Sequence, residues 1–142
     1  MIIRLLTVIL ILLGLNGESL GQTPRGTILS QSFVGQVTGD TVAYNIYLPQ
    51  GYATDTTHYP VIYNLHGLSG DQFRHNNVVA NHFEAAQDSG IIGPVIIVFP
   101  NGYRNSWWAD SFDSTKMAET NVVQELIPTV DSLYRTIPDL SL

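Results

Sequence analysis

The 142-residue chain reads as an α/β domain behind an amino-terminal leader. Two short apolar runs, at residues 61–65 and 95–99, lack clean alternation. Such runs suit strands covered on both faces of a parallel sheet. Between and after them lie two segments with apolar residues at helical spacing. In front of them stands a pair of more alternating segments joined by a turn. The order strand, strand, strand, helix, strand, helix defines an α/β class with a hairpin feeding a βαβα pattern.

The elements follow in chain order. Arg4 gives a positive start, residues 5–15 are apolar apart from Thr7 and Gly14, and Ser19-Leu20-Gly21 supplies small residues for cleavage. Residues 1–21 are therefore expected to be a secretory signal peptide, with a secreted or periplasmic product. The apolar stretch is shorter than the roughly 20 residues a membrane span needs, so no membrane association is expected after cleavage. Residues 22–142 are expected to form one partial domain. Residues 28–37 carry Ile28, Phe33, Val34 and Val37 in imperfect alternation. Thr38-Gly39-Asp40 marks a turn, and Val42, Tyr44, Ile46 and Leu48 then share one face of a second strand. Val61-Ile62-Tyr63-Asn64-Leu65 is the third strand. A helix is expected over 77–88, with Val78, Val79, His82, Phe83 and Ala86 in register and Ser89-Gly90 ending it. After the 95–99 strand comes a polar and aromatic loop through Asp113. A second helix is expected over 116–134, with Val122, Val123, Leu126, Ile127, Val130 and Leu133 as its apolar stripe. Pro128 is expected to kink it.

Composition removes several function classes. The net charge is −6, and the six basic residues are scattered, which argues against nucleic acid as a partner. There is no cysteine, hence no thiol nucleophile, disulfide or cysteine metal site. The four histidines offer little for a metal. His75, His82 and Asp71 could gather round one, but no metal or cofactor is expected.

Several blocks together resemble a known family. They are Tyr44-Asn45-Ile46-Tyr47-Leu48-Pro49, then Tyr59-Pro60 before the third strand, then His66-Gly67-Leu68-Ser69-Gly70. Val98-Phe99-Pro100-Asn101-Gly102, Trp107-Trp108-Ala109-Asp110, Glu119 and Glu125-Leu126-Ile127-Pro128 follow in the same order. This is similar to the esterase family of α/β-hydrolases that includes esterase D, feruloyl esterases and the antigen 85 mycolyltransferases. It extends over about residues 28–139. The resemblance implies the α/β-hydrolase fold and serine acyl transfer on a small-molecule ester or an acylated or feruloylated carbohydrate, without a cofactor. In that family Tyr-Arg-x-x-x-Asp precedes a strand and a G-x-S-x-G elbow. Here Tyr134-Arg135-Thr136-Ile137-Pro138-Asp139 is followed only by Leu140-Ser141-Leu142. The expectation is a chain truncated before its catalytic triad, which would lie beyond Leu142, and inactive by itself. Alternatives are an acyltransferase of the same fold and a non-catalytic binding module.

The resemblance also nominates site residues. The backbone N–H of Leu68 is implied as an oxyanion donor, carried by His66 and Gly67, because acyl transfer needs donors aimed at the developing negative charge. Ser69 is not in a G-x-S-x-G setting, and only His75 and His82 follow it, too closely for the Ser-acid-His order of this fold. His66 reads as a hydrogen-bonding residue of the turn or, less simply, as a base. Asn101, Gly102, Trp107, Trp108 and Asp110 follow the second apolar run, where ligands of α/β sheets bind beyond the strand ends. The tryptophans could stack on an acyl group or sugar, or pack against the second helix. Asp110, Asp113 and Glu119 could equally be loop and helix-start carboxylates.

Overall fold

A computed structural model describes residues 22–138. The expected signal peptide, residues 1–21, and the last four residues lie outside the described residues. Strands β1 (Thr27–Val34), β2 (Thr41–Leu48), β3 (Val61–Tyr63) and β4 (Ile96–Pro100) form one sheet in the order β1-β2-β4-β3. β1 pairs β2 antiparallel, from Thr27 opposite Leu48 to Val34 opposite Thr41. The turn between them is closed by the Gly35 N–H on the Asp40 carbonyl at 2.8 Å. Gly39 takes φ +72° there, a conformation glycine adopts without a Cβ penalty. β2 pairs β4 antiparallel and β3 pairs β4 parallel. The β3–helix–β4 unit is the βαβ crossover that the two apolar runs imply.

Two cores lie on opposite faces of this sheet. One gathers Val42, Tyr44, Ile46 and Leu48 of β2 with Ile96, Val98, Leu126 and Val130. The other gathers Tyr47, Ile97 and Phe99 with Ala80 of α1 (Asn76–Asp88). β4 is buried throughout, as its unbroken apolar run requires. β3 is shorter than residues 61–65 and only half-buried, and Leu65 is exposed. The reason is position: β3 is an outer strand, paired on one side only among the described residues.

Both helices turn part of the expected stripe inward, Val79 and Phe83 in the first and Leu126 and Val130 in the second, and bury polar residues beside it. α1 buries Asn76, Ala80 and Glu84, while His82 is exposed. Glu84 can face inward because its carboxylate is fully occupied. Oε1 accepts the Tyr47 hydroxyl and the Gly26 N–H, each at 2.9 Å, and Oε2 accepts the Arg25 N–H at 3.1 Å. The second helix runs as α2 (Ala118–Thr120), a π segment (Asn121–Leu126) and α3 (Ile127–Leu133). Pro128 has no N–H, and its ring crowds the carbonyl four residues back, so the disturbance takes the form of a widened turn. The five-residue spacing puts Asn121 and Leu126 on one buried face with Ala118, Glu125 and Val130. Val123 and Leu133 of the expected stripe rotate out to solvent.

Candidate active site

Beyond β3 the chain keeps one more sheet hydrogen bond, Asn64 N–H to the Val98 carbonyl at 2.8 Å, and then turns. The turn is built on His66. The Gly102 N–H reaches its Nε2 at 3.4 Å, and Nδ1 lies 2.8 Å from the Gly67 carbonyl. The two contacts together fit a neutral imidazole with its proton on Nδ1. Both ring nitrogens are thus occupied by backbone, and no carboxylate orients the ring among the described residues. His66 acts as a positioning residue in this arrangement. A Cβ on Gly70 would come within 2.9 Å of the His66 ring, so the turn closes only with glycine there.

The loop after β4 is fastened onto this turn. Trp108 Nε1–H donates to the His66 carbonyl at 3.0 Å, and the two rings lie 4.7 Å apart at 55°. A Cβ on Gly102 would sit 2.1 Å from the Trp108 ring, so glycine is what lets the indole lie against β4's end. Ser106 bridges the same loop: its hydroxyl donates to the Gly102 carbonyl and accepts the Trp108 N–H. Trp107 and Trp108 both hold left-handed backbones, φ 56° and 59°. Residues held there cost on the order of 1–3 kcal/mol each and persist where the surroundings fix them. The consequence is a divergent pair: Trp108 packs inward and Trp107 stands 83% exposed.

Between turn and loop lies a cavity of about 210 Å³, lined by His66, Gly67, Leu68, Arg104, Trp107 and Trp108 among others. Ser69 (φ 61°) ties the turn to the loop, its N–H donating to the Arg104 carbonyl at 2.8 Å. The Leu68 N–H has no acceptor among the described residues, and Leu68 itself is exposed. A free N–H beside an open, largely apolar cavity can hold an oxyanion. The Ser69 hydroxyl has no histidine or carboxylate partner among the described residues.

The nominated residues divide. His66, Gly67, Leu68, Trp107 and Trp108 come together at this cavity, and Gly102 supports it from beneath. Asn101 lines a neighbouring polar cavity instead. Asp110 is drawn away: its carboxylate accepts the Thr120 N–H at 3.0 Å and the Thr120 hydroxyl at 2.6 Å, holding the start of the second helix. The hydroxyl first, then the N–H, lowers its pKa. Asp113 is similarly occupied by Ser111 and Thr115, which bring its pKa down to about 2. His75 is the exposed N-cap of α1. Among the described residues no three His, Asp or Glu side chains gather to hold a metal. Arg104 and Asn105, which also line the cavity, were absent from the sequence reading. Their place between Gly102 and Trp107 was the available signal.

A parallel β3–α1–β4 unit behind an antiparallel hairpin, with its cavity where the parallel strands end, is the arrangement of α/β-hydrolase-fold esterases. The family described as "Putative esterase" matches residues 35–142, and the chain belongs to it. An esterase of Mycobacterium tuberculosis is 33% identical over 96 residues, 65% of this chain and 20% of that protein. The chain thus matches a fifth of that relative's length. A feruloyl esterase module from Clostridium thermocellum, solved with sinapinate, superposes with TM-score 0.63 at 28% identity, covering 82% of this chain and 40% of that one. A ferulic acid esterase from Anaeromyces mucronatus, solved with ferulic acid, gives TM-score 0.63 at 21% identity over 79% of this chain and 44% of that one.

Proposed function

We propose that residues 22–142 form the oxyanion-stabilising and acyl-binding part of an exported serine carboxylic-ester hydrolase. Its substrate is an aromatic acyl ester of a carbohydrate. The observation that carries this is the Leu68 N–H, without an acceptor among the described residues, at the rim of the cavity between His66 and the paired tryptophans. An acyl carbonyl placed there would have its oxygen on Leu68 N–H and its aromatic group against Trp107 and Trp108. Backbone donors of this kind are worth about 3–4 kcal/mol each in the transition state. The feruloyl and ferulic acid esterases among the similar structures support the aromatic acyl group. The leader pattern in residues 1–21 supports export. Residues 1–142 contain no serine in a G-x-S-x-G setting, so the reading gives this chain ester binding and no nucleophile.

Both tryptophans of the chain border the cavity, which makes their fluorescence a direct reporter. Titration with methyl ferulate should quench it saturably, and Trp108→Ala should abolish the effect. No turnover of a p-nitrophenyl ester above a heat-denatured control is expected. Absence of saturable quenching would remove the acyl cleft. Turnover lost in Ser69→Ala would overturn the assignment of no nucleophile.

A further inference from the structure

We infer that the polar cavity next to the acyl cleft is a carboxylate-binding subsite, and that the alcohol side of the ester carries a uronic acid. The proposal rests on the ester-binding reading for the neighbouring cavity. The second cavity, about 560 Å³, shares Arg104 and Asn105 with the first and continues to Asn101, Gln72 and Lys116. It is therefore where the group attached to a bound acyl ester would extend. Its charge is out of keeping with the chain, which carries a net −6. Of the basic residues in the described part, Arg25 pairs with Glu84 and Asp88, and Arg135 pairs with Asp55. The side chains of Arg74, Arg104 and Lys116 have no ion-pair or hydrogen-bond partner among the described residues; Arg104 and Lys116 both line this one cavity, and Arg74 does not. Asp71 is the one carboxylate in the lining, and its Oδ1 accepts the Phe73 N–H at 3.0 Å.

The backbones of both cations are fixed. Arg104 holds the Ser69 N–H through its carbonyl, and Lys116 exchanges hydrogen bonds with Ser111, its N–H on the hydroxyl at 2.9 Å and its carbonyl on the N–H at 2.8 Å. A guanidinium and an ammonium on two residues lining one pocket suit a carboxylate. The amides of Asn101, Asn105 and Gln72 offer donors and acceptors to sugar hydroxyls. A carbohydrate bearing a carboxylate satisfies both sets; a neutral sugar leaves the cations unused.

The test compares a matched pair of probes, p-nitrophenyl β-glucuronide and p-nitrophenyl β-glucoside, titrated into the full chain by tryptophan fluorescence. The glucuronide should bind about three- to fivefold more tightly, the advantage of one exposed charge pair. Raising salt should shrink that ratio. Arg104→Gln and Lys116→Gln should each reduce the ratio toward one with the circular dichroism spectrum unchanged. Arg74→Gln, which removes a cation outside this cavity, should leave it unchanged. Equal affinities in the wild type, or a preference surviving in the double variant, would overturn the proposal. So would inorganic phosphate binding more tightly than glucuronate. Free glucuronate and methyl ferulate, followed separately by NMR, distinguish the two readings. Arg104-dependent glucuronate binding without a methyl ferulate response keeps the anion subsite and removes the ester cleft. The reverse result keeps the cleft and removes the subsite.

Discussion

Glu84 is the residue through which the start of the domain is held to its core, and replacing it has a calculable cost. Its side chain is buried, with the residue 7% exposed, yet it accepts from Tyr47, Gly26 and Arg25. The Arg25 guanidinium adds contacts to Glu84 at 3.3 Å and Asp88 at 2.9 Å, but its side chain is half exposed, so these contribute little. Most of the energy lies in the Tyr47 hydroxyl and the two backbone N–H groups. In Glu84→Ala these three donors lose their acceptor, one of them on a tyrosine with no exposed surface. A buried donor left unpaired costs about 1–3 kcal/mol, and removing one partner of a buried charged cluster about 3–5 kcal/mol. The expected loss is about 3–5 kcal/mol against a typical stability of about 5–15 kcal/mol. At about 4 °C per kcal/mol for a domain of this size, Tm should fall by roughly 12–20 °C. Glu84→Gln keeps one acceptor oxygen and should lose about 1–2 kcal/mol.

The pH dependence gives an independent arm. Burial pushes the Glu84 carboxyl up, but the Gly26 and Arg25 N–H groups, the Tyr47 hydroxyl and the Arg25 side chain outweigh it, and its pKa lies below the ordinary 4.5. A folded pKa below the unfolded one contributes stability above pH 4.5 that is lost as pH falls through the folded value. Urea unfolding of wild type and Glu84→Gln between pH 7 and pH 3 should therefore converge on acidification. A Glu84→Ala loss under 1 kcal/mol, or parallel pH profiles for wild type and Glu84→Gln, would refute the reasoning.

Three further outcomes are expected. Gly102→Ala should push Trp108 off His66 and cost about 1–3 kcal/mol, read as a changed near-ultraviolet circular dichroism band and a lower Tm. Arg135 donates to the Tyr52 and Thr57 carbonyls and stacks 3.9 Å from the Tyr52 ring centre, so Arg135→Lys should cost about 1–2 kcal/mol in urea unfolding, where an unchanged midpoint would refute it. Expression in a secreting host should yield an exported product whose first residue, by Edman sequencing, lies near Gln22; an intact Met1 on a cytosolic product would contradict the leader reading.

The strands were legible because their sequence patterns are local. The β1–β2 pair follows from a glycine turn between β-rich segments, and β4 from a run apolar on every residue. β2 was half legible: its even residues face one core as read, but Tyr47 and Asn45 on the other side are also buried, because α1 covers that face. Helix faces were harder. Glu84 looks like a solvent residue until Arg25, Gly26 and Tyr47, distant in sequence, supply its donors. His66, Gly67 and Leu68, which line the candidate cavity, were legible through their motif. Arg104 and Lys116 were not, since an unpaired surface cation has no sequence signature until a cavity forms round it.

The second helix and the site are connected through the π segment. A regular α-helix would space its buried positions by three and four. The widened turn adds Leu126 to the inward face, beside Asn121 and Glu125, which lie four residues apart and both meet the β1–β2 turn. Glu125 Oε1 accepts the Val37 and Thr38 N–H groups at 2.5 and 3.1 Å. Asn121 Oδ1 accepts the Thr38 hydroxyl at 2.7 Å, and its Nδ2 donates to Asp40 at 3.1 Å and to the Tyr103 hydroxyl at 3.2 Å. The Tyr103 hydroxyl in turn donates to Asp40 at 2.5 Å; burial first, then this bond, raises its pKa and keeps it a donor at neutral pH. Tyr103 (φ 60°) is the neighbour of Arg104. The strained loop that shapes both cavities is thus fixed from behind by the hairpin turn and the π segment. A helix irregularity of about one residue is costly in isolation and is often retained beside a functional site. Here Asn121, within the irregular segment, holds the site's loop through Tyr103 and Asp40, and Glu125 holds the hairpin turn beside it.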